Sequence, residues 1–165
     1  MILGPLKWYT IAETIRQAVH ADLTVPVQRS GVVPGSIAWD ECDCGMLAVT
    51  VEQIYPTETF PDLMTEVAGG CDVSREAAEI VIQVVRCAPG PDGQSLAPTV
   101  AELDASAQEV LRDAWEVITA TRGVLCQMLA DSDITDFLLR PLTSVGPNGQ
   151  CVGNELRVFV GSRRG

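Results

Sequence analysis

From residue 100 to 129, apolar side chains return every three or four positions: Val100, Leu103, Ala107, Val110, Leu111, Ala114, Ile118, Thr121, Leu125, Met128 and Leu129. A helix turns once per 3.6 residues, so this spacing lines up one continuous face. Thr99-Val100-Ala101-Glu102 supplies the start. A Thr hydroxyl there accepts from an orphan backbone N–H, and a Glu three residues on reaches back to the Thr backbone. The pattern predicts a helix of about eight turns that ends near Asp131. An apolar face of that length has to be covered, so the rest of the chain must supply a surface for it. Gly123 interrupts the stripe and marks a bend or a close contact. Trp115 lies between the stripe and its flank.

The remaining segments are shorter. Thr10-Ile11-Ala12-Glu13 reads as a second capping box, followed by Ile11, Ile15, Ala18 and Val19 at helical spacing. That helix should stop near Asp22. Residues 24–45 carry Pro26, Gly31, Pro34, Gly35 and Gly45 and read as a long loop, which makes them a candidate interface. Met46 to Tyr55 alternates as a strand does. Residues 56–73 read as a second loop. Glu79 to Ala88 is apolar on both faces, as in a central strand. Phe137 to Val145 and Leu156 to Val160 read as two closing strands, joined through Gly146-Pro147-Asn148-Gly149. The expected class is α+β. A mostly antiparallel sheet of about four strands carries one short and one long helix, in the order α-β-β-α-β-β. A single domain spans 1–161, with a C-terminal tail at 162–165. Such a sheet leaves edges that invite pairing with other chains, and closed symmetry among identical copies is the usual way to satisfy them.

Composition narrows the chemistry. Hydrophobic residues make up 47% of the chain and aromatics 5%, so the core is built from Val, Ile, Leu and Ala. No apolar run is long enough for a membrane span, and the N-terminal stretch lacks the pattern of a secretory signal, so folding in a cytoplasm is expected. The net charge is −11. Residues 40–136 carry a net −15, whereas 1–39 carry +1 and 137–165 carry +3. An acidic middle is not the footprint of a nucleic-acid binder, which needs a basic stripe. It fits a solvated surface, copies stacked acidic against basic, or an acidic lumen that repels passing DNA. His20 is the one histidine, at the end of the first helix, where a cation meets the helix dipole favourably. No nucleophile elbow, phosphate-cradling loop or His-Glu-x-x-His motif occurs. Asp40, Glu41 and Asp43 lack the ligand spacing of a calcium loop. No catalytic residue, cofactor or metal ligand is assigned, and an enzyme is not expected. The six cysteines do not form a zinc pattern. Cys87 and Cys126 are expected as small buried hydrophobes. Cys42 or Cys44 could pair with Cys71 in an oxidising setting. Trp8 and Trp39, with Asp40 and Glu41 beside the latter, sit in loop regions and are candidate interface anchors.

Several short motifs carry a resemblance when taken in order. They are Trp39-Asp40-Glu41-Cys42 with Cys44-Gly45-x-Leu47-x-Val49, then Tyr55-Pro56 and Phe60-Pro61. Val85-Arg86-Cys87-Ala88-Pro89 follows, and last comes Gly146-Pro147-x-Gly149-x-Cys151-x-Gly153-x-Glu155. From about residue 8 to 161 the chain resembles tail terminator (neck) proteins of long-tailed actinobacterial phages, similar in fold class to the lambda tail terminator. The resemblance implies a structural virion protein assembled in the bacterial host cytoplasm. It implies a homohexameric ring that caps the tail tube protein, ends tail elongation and meets a head-tail connector or stopper protein, with double-stranded DNA passing through the lumen. It brings no catalytic residues. The alternatives are a connector or stopper protein of the same neck, or a small Cys-dependent metal-binding module.

Overall fold

The computed structural model describes residues 4–35, 45–64, 75–91 and 97–163. Among them are two helices and six strands: α1 (Lys7–Asp22), β1 (Arg29–Val33), β2 (Met46–Pro56), β3 (Arg75–Cys87), α2 (Val100–Ala130), β4 (Asp136–Leu139), β5 (Thr143–Asn148) and β6 (Cys151–Arg163). The sheet runs β1-β2-β3-β6-β4, and β5 pairs with β6 as well. All pairings are antiparallel except β1 with β2, which is parallel. The class is α+β with a mixed six-stranded sheet.

Four antiparallel strands were expected, and two further strands account for the difference. Arg29–Val33 lies inside the expected 24–45 loop and pairs in parallel with Met46–Thr50. Five residues containing one glycine and no alternation give no periodic signal, so this strand is defined by its neighbour. The expected 137–145 strand is broken at Arg140-Pro141, because proline has no N–H for a ladder. It becomes β4 and β5, which both pair with the long strand β6.

Strands β3 and β6 form the spine. Their register runs unbroken from Arg75↔Arg163 to Cys87↔Cys151. Ala78, Ile80, Ile82 and Val84 on β3, with Leu156, Val158 and Val160 on β6, point to one face and are buried against the helices. Alternation at period two puts Glu79, Gln83, Glu155 and Arg157 on the opposite face. A bulge between Val51 and Gln53 shifts the register of β2 on β3. Gly153 permits the close β3–β6 approach: a Cβ there would lie 2.0 Å from the Val84 carbonyl oxygen.

Helix α1 begins at Lys7, three residues before the expected capping box. Thr10 is therefore an interior residue whose hydroxyl donates back to the Leu6 carbonyl at 3.0 Å, and Glu13 bonds Arg16 and Gln17 rather than a cap. Tertiary contacts set the earlier start. The Lys7 ammonium donates to Glu76 at 3.1 Å and to the Arg163 carbonyl at 2.9 Å, and sits 4.9 Å from the Trp8 ring centre. Trp8 is helical and buried among Ile11, Ile15 and Val19, so its surface is committed to the core rather than to a loop. Helix α2 starts where the capping box places it, with both reciprocal bonds of Thr99 and Glu102 formed, and ends at the Asp131 cap.

Candidate functional site

Helix α2 has two different environments along its length. In its C-terminal half Val117, Thr121, Leu125 and Met128 are buried under α1 and the sheet. In its N-terminal half the expected face is covered at Val110 and otherwise largely open, and Trp115 on its flank is open too. Val100 is 83% exposed, Leu103 50%, Leu111 67% and Trp115 70%. Val110 and Asp113 are the residues buried there. The physical reason is a change of support. Among the described residues, the ties here run from Arg86 at the end of β3 to Asp113 and from Asn154 on β6 to Val110.

That half-supported stretch borders an apolar groove of about 420 Å³. Leu103, Ser106, Ala107, Val110 and Leu111 form its helical wall, and Ala88, Pro89, Ser144, Pro147 and Val152 form the other. The wall is held by the bond from the Ala88 N–H to the Gln150 carbonyl at 2.6 Å. Two motifs far apart in the chain, Val85-Arg86-Cys87-Ala88-Pro89 and Gly146-Pro147-x-Gly149-x-Cys151-x-Gly153, thus meet at one groove.

Beneath the groove an ion pair fixes α2 to the sheet. Arg86 on β3 donates through Nε and Nη2 to the two carboxylate oxygens of Asp113, at 2.8 and 2.9 Å, with both residues buried. The same guanidinium donates to the carbonyls of Val25 at 2.6 Å and Pro26 at 3.1 Å, and Glu109 lies 3.6 Å away. Burial alone would pull this guanidinium down. The Asp113 bonds and the nearby carboxylates outweigh that and hold it above its ordinary value. Asn154 on β6 adds a second tie, donating to the Val110 carbonyl at 2.7 Å. Asp113 falls on the polar side of the helical pattern, so periodicity gave no signal for its burial. A lone arginine inside the apolar run of β3 was the available hint.

A second cluster lies on the sheet face away from the helices. Arg157 donates to Glu155 at 2.7 Å and to Glu79 at 3.0 Å, and also bonds Glu52. These bonds hold the guanidinium well above its ordinary value. A recess of about 190 Å³, lined by Pro34, Gly35, Thr50 and Gln83 among others, opens beside it. Cations from the two ends of the chain are therefore partnered within the fold by carboxylates of the acidic middle: Lys7 by Glu76, and Arg157 by Glu52 and Glu79. This uses up part of the charge contrast that the sequence suggested for stacking between copies.

The other candidate residues divide as follows. Trp39, Asp40, Glu41, Cys42, Cys44 and Cys71 lie outside the described residues. Cys87 and Cys126 are free and exposed, not buried as expected. Cys87 ends β3 at the rim of the sheet, and Cys126 falls on the outward side of α2. Cys151, placed by the sequence in the closing motif but not in a disulfide, is buried and disulfide-bonded. His20 is exposed in the last turn of α1. Tyr55 is buried and donates to the Pro61 carbonyl at 2.9 Å, joining the Tyr55-Pro56 and Phe60-Pro61 motifs. Among the described residues no three His, Cys, Asp or Glu side chains are placed to hold a metal ion, and no helix is long and apolar enough to cross a membrane. Comparison with known proteins finds no family model that matches the chain and no similar curated protein.

Proposed function

We propose that this chain is a structural virion protein of a phage neck: copies close a ring that caps the tail tube, ends its elongation and meets the head connector. One observation carries the reading. The Pro89 and Pro147 motifs, which bear the resemblance to tail terminators, converge on an apolar groove that no other part of the described chain fills. An apolar groove beside a half-supported helix suits assembly, because a second chain can supply the missing cover. The strand β1 adds a sheet edge that another copy can use. DNA passing the lumen needs no base-reading surface, in keeping with the acidic balance of the chain.

The test is the mass of the full chain by light scattering across concentration, with and without reductant. The ring reading expects a species of about 106 kDa, six copies of 17.7 kDa. If the chain is smaller than that, purified tail tubes are added and their ends imaged. Rings at tube ends support the terminator role. Binding to the head connector with bare tube ends moves the chain to the stopper position. Binding to neither removes the neck reading.

A further inference from the structure

The outward face of α2 is organised as if for a partner helix. Asp104, Leu111, Trp115 and Arg122 are separated by seven, four and seven residues, that is by one or two whole turns, so they form one line along the helix. Leu111 and Trp115 are among the most exposed large apolar side chains of the described residues, and Asp104 and Arg122 are exposed at the two ends of the line. The placement is symmetric. Position 113 is midway between Leu111 and Trp115, and also midway between Asp104 and Arg122.

We propose that two copies of this chain pair through α2, antiparallel, about a two-fold axis at position 113. In that arrangement Leu111 of each copy meets Trp115 of the other, and Asp104 of each meets Arg122 of the other. A two-fold contact repeats every interaction, so one acid and one base per chain make two ion pairs. A parallel pairing in register would set Asp104 on Asp104 and Arg122 on Arg122 and repel. The charges therefore select both the orientation and the register, as polar residues in a helical seam do. The apolar centre with charged ends also follows the anatomy of stable protein interfaces. This contact differs in symmetry from the one that builds a six-fold ring, whose neighbours meet head to tail, and Leu111 at the groove wall is common to both surfaces.

Two experiments on the full chain test it. In the first, Asp104→Cys and Arg122→Cys are introduced together and singly into a chain whose exposed Cys87 and Cys126 have been changed to Ser. The two positions are about 27 Å apart on one helix at 1.5 Å per residue, so they cannot link within a chain. Mild oxidation should give a covalent pair with the double variant and not with either single variant. In the second, Asp104→Lys and Arg122→Glu are made as separate proteins and followed by sedimentation. Each alone should lose at least tenfold in self-association, and an equimolar mixture should recover it, because the mixed pair restores both ion pairs. The pairing is overturned if the double-cysteine chain links no more than the single variants. It is equally overturned if charge reversal leaves association unchanged, or if the mixture does not recover. A ring that still forms where the pairing has failed would leave the proposed function intact.

Discussion

At the residue scale, a few polar side chains decide how the apolar parts fit. The buried Arg86–Asp113 pair joins β3, α2 and the segment after α1, and its guanidinium is satisfied by four accepting oxygens. Removing one partner leaves a buried charge uncompensated, so Asp113→Ala should lower the unfolding free energy by about 3–5 kcal/mol in denaturant titration. The surface pair of Glu13 with Arg16 predicts a smaller, pH-dependent effect. Hydrogen bonds from Arg16 bring the Glu13 carboxyl from 4.5 to about 2, against the opposing effect of burial. A depressed carboxyl stabilises the fold fully above its unfolded value near 4.5, and that contribution disappears as pH falls through about 2. Glu13→Gln should therefore make stability less steep in pH between about 4.5 and 2, with a loss below about 1 kcal/mol at neutral pH. Urea midpoints at pH 5 and pH 2.5 check both the sign and the size. Neither residue's role was visible in periodicity, because a helical pattern marks apolar faces and is silent on which polar residue goes under.

At the element scale, α2 was legible and α1 only partly so. The Thr99 cap is a local device: four residues and two reciprocal hydrogen bonds suffice to define it, and the structure contains both bonds. Thr99→Ala should cost about 1 kcal/mol, read as a lower thermal midpoint. The equivalent signature at Thr10 is overridden because Lys7 and Trp8 find partners on β3 and β6 that extend the helix backwards. Gly123 was expected to mark a bend or a contact, yet a Cβ there meets nothing within 4 Å, and the helix continues through it. Gly123→Ala should then stabilise the protein by about 0.4–1 kcal/mol by restricting the unfolded chain. A lower midpoint instead would mean that the outward face at this position is covered by another molecule.

At the scale of the whole molecule, the β3–β6 pairing holds the sheet together, and every other strand is added to one side or the other of it. Among the described glycines, Gly153 is the one where an added Cβ would come nearest another atom. Gly153→Ala should force β3 and β6 apart, and the expected result is loss of the cooperative thermal transition rather than a modest shift in midpoint. A well-folded variant with an unchanged midpoint would show that the strands can move apart at little cost. The same architecture explains why α2 carries surplus apolar surface. The sheet and α1 cover its C-terminal half, while the end of β3 and the β5–β6 hairpin border the other. That imbalance motivates both the assembly reading and the proposed helix pairing.

The sequence by itself determined the class of the fold, the long helix with its capped start, the strands Met46–Pro56 and Arg75–Cys87 to within a few residues, and the turn chemistry that returns the chain into β6. These are set by interactions between near neighbours, which periodicity and turn residues record. Tertiary structure alone decided that Arg29–Val33 is a strand, that the 137–145 segment divides into β4 and β5, and that Asp113 goes inside while Leu111 and Trp115 stay out. Each of those outcomes depends on which surface a distant segment brings alongside, and a side chain's own position in the chain carries no record of that.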